Sequence, residues 1–272
     1  VDALMIDTPN QWHCLQMIDA VKAGKHVYVK KPLGNSIAEC DAMLAAKNKY
    51  QSIVQVGQWQ RSQKHFTDAI AFVHSGKLGK IRLVKSWAYL GWKKRVPEKA
   101  DTAVPAGVDY LAWQGPAQRR PFNPNRFHYD FRWYWDYAGG LMTDWGVHLL
   151  DYALLGMQVD SPKSISAAGG KFAYPEDAGD TPDTLTAVYE FANFNLIWEH
   201  ATSISNGLYG REHGIAFIGN NGTLVLDRNG WEVIPDNKRM DAVPLQAKVD
   251  NGLELHTANF IEAIQKKDAN LL

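Results

Sequence analysis

In Asp144-Trp145-Gly146-Val147-His148 a carboxylate and an imidazole stand four residues apart, the spacing that puts two side chains on one face of a helix. A carboxylate so placed orients the imidazole and raises its basicity, making it a proton acceptor near neutral pH. Lys31, in Lys30-Lys31-Pro32, follows an apolar strand-like run and would deliver an ammonium from the strand's end. An ammonium there can hold a hydroxyl and favour the alkoxide that develops on it. Lys31, Asp144 and His148 together suit taking a proton from an alcohol while a hydride leaves its carbon. Lys30 is expected to point elsewhere, since neighbours on a strand alternate faces. An Asp/His pair could also hold a metal, but there is no His-Glu-x-x-His and no third ligand at helical spacing, so no metal is assigned.

Thr8-Pro9-Asn10-Gln11-Trp12-His13 follows the short run Ala3-Leu4-Met5-Ile6-Asp7. It therefore falls at the carboxyl end of a strand, where open α/β sheets bind ligands. A proline turn opening a helix offers main-chain N–H groups to a ribose or an amide. Thr8, Pro9, Asn10 and His13, with Lys31, Pro32 and Gln58, form the expected cofactor-binding set. Pro32 is a candidate for a cis peptide bond. The aromatic, charged stretch from Arg126 to Tyr137 suits a polyol, with rings for its C–H faces and polar heads for its hydroxyls. Arg132, Trp133 and Trp135, with Asp144 and His148, are the expected substrate-binding residues. Plainer readings stand beside these: a helix cap at Thr8, a solvated lysine at 31, a dipole-stabilising Asp144, and a packed loop or interface strand over 126–137.

The elements that must position these groups alternate at first. A helix is expected from Gln11 to Ala23, stopped by Gly24, and a strand from His26 to Lys30. A helix capped at Asn35 or Ser36, with Glu39 completing a capping box, runs to Tyr50. A strand over 53–58 and a helix over 64–75 follow. Strands separated by such helices mean βαβ units and a parallel sheet. From Ile81 onward the pattern changes to adjacent strands with hairpin signals at Asn221-Gly222 and Asn229-Gly230. The expected class is α/β plus α+β: a partial Rossmann-type parallel sheet over residues 1–79, then a mostly antiparallel open-sheet α+β domain over 80–272. No Gly-x-Gly-x-x-Gly occurs, so the turn that lets a backbone approach a dinucleotide pyrophosphate is missing. The first domain thus reads as the C-terminal half of a dinucleotide-binding fold, and both chain ends read as cuts.

Twenty-nine basic residues balance twenty-nine acidic ones, which removes the electrostatic reason to expect nucleic acid or an anionic membrane as partner. No apolar run approaches the roughly 20 residues of a membrane span. A soluble chain, cytoplasmic or periplasmic, is expected. Cys14 and Cys40, both in predicted helices, read as thiols rather than a disulfide.

Three segments carry a resemblance. The strand-turn from Ala3 to His13, the step Gly24-Lys25-His26-Val27-Tyr28-Val29-Lys30-Lys31-Pro32-Leu33, and Gly139-Gly140-Leu141-Met142-Thr143-Asp144-Trp145-Gly146-Val147-His148-Leu149-Leu150-Asp151 resemble the Gfo/Idh/MocA oxidoreductases in the right order. The Gly219-Asn220-Asn221-Gly222-Thr223-Leu224 hairpin resembles that family's sheet domain. The resemblance implies an NAD or NADP cofactor and a sheet domain that often mediates homo-oligomers. It places the family's catalytic Lys, Asp and His on Lys31, Asp144 and His148. Lys30 stands where the family's Glu-Lys-Pro signature has Glu, and the Gly-rich motif has no counterpart. The expected activity is hydride transfer between the nicotinamide and a secondary alcohol of a sugar, polyol or glycoside. The alternatives are a redox-neutral glycosidase using the same apparatus, or a non-catalytic module that binds sugar or self-associates.

Overall fold

A computed structural model describes residues 1–272. Three short apolar runs form a parallel sheet, in the order β1 (Ala3–Ile6), β2 (His26–Val29), β3 (Val54–Val56). The crossovers are α1 (His13–Lys22) and α2 (Ile37–Tyr50). Ser36 Oγ accepts from Glu39 N as the capping box requires, while the Glu39 carboxylate turns back to Asn35 N, one residue before the cap. Cys14 and Cys40 are both free thiols. No helix is long and apolar enough to cross a membrane.

α3 (Lys64–His74) leads into an eight-stranded sheet. Its strands are β4 (Leu83–Leu90), β5 (Ser164–Gly170), β6 (Thr184–Glu190), β7 (Asn195–Thr202), β8 (His213–Ile218), β9 (Gly222–Asp227), β10 (Gly230–Pro235) and β11 (Val243–Ala247). They lie in the order β11-β10-β9-β8-β4-β7-β6-β5. All neighbours are antiparallel except β4 and β7, so the sheet is mixed, as the expected class allows. The strands are not all adjacent in sequence: between β4 and β5 the chain makes an excursion carrying α4 (Tyr110–Gln114) and α5 (Val147–Met157). Helices α3 and α5 cover one face of the sheet, and the main core lies between them and strands β4, β7, β8 and β9.

The small sheet also receives a segment from the far end of the chain. The last helix, α6 (Gly252–Lys266), returns to the small sheet, where Phe260 and Ala263 pack with Tyr28 and Ile53. Its pattern is that of any amphipathic helix, and only the packed structure decides which sheet receives its apolar side.

Close approach of α5 to the sheet depends on Gly156. A Cβ there would stand 2.5 Å from Phe217 Cζ and 3.2 Å from Ile70 Cδ1, both rigidly buried. Gly156→Ala is therefore expected to destabilise by about 1–3 kcal/mol, although alanine is the better helix former. Chemical denaturation checks this; a stabilised variant would show that α5 has room to move.

Burial also sets the acid response. His200 lies in the core, accepting from the Trp198 indole at Nδ1 and donating from Nε2 to Pro182 O, and burial pushes its pKa down to about 4. In the unfolded chain an ordinary histidine titrates near pH 6.5. The unfolded state thus binds the proton first, and stability is lost as pH falls from about 6.5 to about 4, by about 3 kcal/mol for this group. The melting temperature should fall through that window, and His200→Gln should flatten the slope. An unchanged slope would place the acid response elsewhere.

Candidate active site

Lys31 leaves the carboxyl end of β2 through a cis Lys31–Pro32 bond. Its Nζ donates to Asp144 Oδ1 at 2.7 Å and to the Asp144 carbonyl at 2.6 Å. Both side chains are about one-fifth exposed, enough for the ion pair to face a cleft without being washed by solvent. Burial lowers the Lys31 ammonium below the ordinary lysine value, the Asp144 carboxylate opposes that shift, and the charges of Arg132 and Arg228 add to it. His13, buried at the start of α1, fixes the two loops to each other: its ring nitrogens reach Pro32 O at 2.7 Å and Thr8 O at 2.9 Å. Thr8, Pro9, Asn10, His13, Lys31 and Pro32 all line one cleft of about 590 Å³, together with Asp144 and Arg132. That volume is in the range of small-molecule sites, about 300–1,000 Å³.

Asp144 does not orient His148. Residues Met142–Gly146 form a π turn ahead of α5. Its ladder runs from i to i+5, so the register that sets a carboxylate over an imidazole one turn on is lost. The Asp144 carboxylate is taken by Lys31, with Arg132 Nε 3.9 Å away. His148 is 4% exposed, and its Nδ1 is buried without a partner. Its ring stands edge-on to Trp59, with centroids 6.5 Å apart. The expected rise in basicity is reversed: burial holds the imidazole well below its usual pKa, and the charges of Lys31, Arg228 and Lys30 push the same way. His148 is therefore neutral at physiological pH; unlike Lys31 and Asp144 it is not among the residues that line the cleft, and its Nδ1 is sealed from solvent.

Four further expectations are corrected. Lys30 does not point away; it lines the same cleft as Lys31, with Nζ 4.0 Å from Asp7, because the chain leaves the strand before the alternation applies. Trp133 is 3% exposed and sits in the core with the Lys93 ammonium 5.0 Å from its ring centre. Trp135 is 58% exposed and lies outside the cleft. A single 3-10 turn over Asp130–Trp133 carries this stretch: Phe131 and Arg132 line the cleft, while Trp133 turns into the core. Gln58 also lies outside it; its amide donates to Val147 O and braces the first turn of α5.

The sequence-based site omitted several residues. Trp113, His128 and Tyr129 line the cleft opposite the two loops, and the Trp12 indole donates to Ala112 O and Trp113 O, docking α4 there. The density of aromatic residues marked this stretch, but not which rings face inward. Arg228, in the turn between β9 and β10, stacks on Trp145 and Trp59. Nothing local distinguishes it from a surface arginine.

Two family models decide the kinship: residues 1–58 match the NAD-binding Rossmann fold of the Gfo/Idh/MocA oxidoreductases, and residues 67–192 match the C-terminal α/β domain of that family. The chain belongs to the Gfo/Idh/MocA family. Its first domain is accordingly of the NAD-binding type, and the small parallel and larger mixed sheets are this family's two domains. Among curated relatives, the uncharacterized oxidoreductase YrbE of Bacillus subtilis is 25% identical over 231 residues, which are 84% of this chain and 56% of YrbE. Myo-inositol 2-dehydrogenase of Thermotoga maritima is 23% identical over 229 residues, 84% of this chain and 57% of that protein. The chain thus spans little more than half the length of either. A solved levoglucosan dehydrogenase, in complex with NADH and levoglucosan, superposes with a TM-score of 0.72 at 19% identity, covering 98% of this chain and 72% of that one.

Proposed function

We propose that these residues are the proton- and hydride-transfer part of an NAD(P)-dependent oxidoreductase acting on a secondary alcohol of a sugar, polyol or glycoside. The observation that carries this reading is the Lys31–Asp144 ion pair in a cleft at the carboxyl ends of β1 and β2, with a neutral His148 one turn beyond it. The donor set fits a nicotinamide nucleotide in part. The Thr8–Asn10 turn and the Lys31–Pro32 turn, clamped by His13, would hold the nicotinamide riboside against Trp113 and Tyr129. Residues 1–272 contain no Gly-rich turn for the pyrophosphate. Bound there, the nicotinamide supplies the hydride acceptor. Lys31 would hold the substrate oxygen and stabilise charge building on it, and His148 would take the hydroxyl proton. Asp144 would fix the Lys31 ammonium rather than the imidazole. Exposed Ile165 and Phe172, on and just past the edge strand β5, suit self-association through the sheet domain.

The test is calorimetric titration of the chain and of the whole protein with NADH and NADPH, followed by a panel of sugars and polyols with nicotinamide absorbance as readout. Reduced nicotinamide accumulating with one of them is the expected result. Substrate consumption without accumulation would replace a dehydrogenase by a redox-neutral glycosidase, and no binding by the whole protein would overturn the reading.

A further inference from the structure

Arg228 occupies the two-residue turn Arg228-Asn229 between β9 and β10, far in sequence from every other residue of the site. Its guanidinium carbon lies 4.5 Å from the Trp145 ring centre and 5.2 Å from that of Trp59. Such stacking holds the planar group but satisfies none of its five N–H donors. The side chain makes no hydrogen bond or ion pair, and its Nε is sealed from solvent without an acceptor.

The carboxylates that could neutralise it are already engaged. Asp227, the preceding residue, accepts from Asn229 N at 2.7 Å and Gly230 N at 3.1 Å, and Arg211 Nη1 lies 3.1 Å from the same oxygen. Asp144 is held by Lys31, and Asp7 stands nearest Lys30. Arg132 shares Asp144 with Lys31 at 3.9 Å, and Arg228 has no carboxylate within ion-pair distance, Asp144 acting on it only from farther off. Sheltered charges in folded proteins are paired, because an uncompensated one costs several kcal/mol. An anion brought by a ligand would complete the set. The location is apt: Trp59, 5.2 Å from the guanidinium, is also the ring that edges His148, and Trp145, 4.5 Å from it, follows Asp144 in the chain. The terminal nitrogens, unlike Nε, are not sealed, so the fork that grips a carboxylate in two parallel bonds is open to a ligand.

We propose that Arg228 receives a carboxylate of the substrate, so that the alcohol oxidised belongs to a sugar acid, such as a hexuronate or an aldonate, rather than to a neutral sugar. The inference deepens the proposed oxidoreductase reading and rests on it. A dinucleotide pyrophosphate is the other anion in such a protein, but the Rossmann fold binds it at the Gly-rich turn opening its first helix. Arg228 lies instead on the sheet domain.

The test titrates the protein with D-glucuronate, D-galacturonate and D-gluconate against D-glucose, D-galactose and myo-inositol. Calorimetry and tryptophan fluorescence are the readouts, since both Trp59 and Trp145 lie against the guanidinium. At least one acid should bind about 30-fold or more tightly than its neutral counterpart. Arg228→Gln should abolish that preference, while Arg228→Lys, which keeps the charge but not the fork, should keep part of it. Equal binding of acid and neutral sugar, a preference that survives Arg228→Gln, or no acid binding at all would overturn the proposal. So would Arg228→Gln weakening NADH instead of the acid. Two mixed results separate this inference from its parent. Turnover of neutral polyols alone would keep the oxidoreductase and remove the acid site. Acid binding dependent on Arg228, without nicotinamide reduction by any alcohol, would keep the site and remove the oxidoreductase.

Discussion

His148→Asn is expected to slow hydride transfer in the whole protein by about 10²–10⁴-fold while leaving the fold intact. Asparagine occupies similar space but takes up no proton at neutral pH. His148 lies buried with no hydrogen bond at Nδ1, so the substitution breaks no bond of the folded state. Single-turnover formation of reduced nicotinamide, with a melting curve on the same sample, separates chemistry from stability. Turnover at the wild-type rate would reject His148 as the base. The pH profile adds a second reading. Because burial and three nearby cations hold the imidazole well below its usual value, the histidine stays unprotonated as pH drops past 6.5. The acid limb of kcat/KM should therefore lie well below pH 6.5. A limb at the ordinary histidine value would mean that bound substrate or cofactor restores an ordinary environment.

Lys31→Met should lower kcat/KM by about 10²–10³-fold, the loss typical when a donor to a developing oxyanion is removed. The ammonium does two things. It would stabilise the alkoxide, and it holds Asp144 through both the carboxylate and the main-chain carbonyl. Removing it leaves a partly buried carboxylate without its donor, so about 1–3 kcal/mol of stability should go as well. The double variant Lys31→Met, Asp144→Asn distinguishes the two effects: it should recover stability without recovering turnover. Recovery of both would assign Lys31 a structural role only. Burial also lowers the ammonium's pKa, so the alkaline limb should begin below the ordinary lysine value near 10.5.

Much of this chain is legible from short stretches of sequence. The Ser36-Glu39 cap and the hairpins at Asn221-Gly222 and Asn229-Gly230 follow from chemistry within a few residues, and the structure has them. The cis bond at Pro32 was an expectation of local chemistry, and it too is present. The Thr8 and Lys31 turns could be assigned to one sheet edge because parallel strands put their carboxyl ends together, and the structure brings them into one cleft. The failures share a physical cause. Whether Asp144 reaches His148 or Lys31 depends on a widened helical turn and on a partner 113 residues away. Arg132 reaches the cleft and Trp133 the core because the packing around a single 3-10 turn, not the local residue pattern, sets which side chain faces which way. The destination of α6 depends on which apolar surface remains uncovered once both sheets have formed.

Residue types and local spacing determined by themselves that the chain opens with alternating β and α, that Lys31, Asp144 and His148 are candidates for proton chemistry, and that residues 1–272 hold no Gly-rich phosphate turn. Tertiary structure alone decided how those groups pair, made His148 a neutral imidazole by burying it, and placed Arg228 near them without an ion-pair partner. Periodicity and capping act over one or two turns of chain and can be read in order. Burial and charge pairing arise between segments a hundred residues apart, and no local pattern encodes which of them will meet.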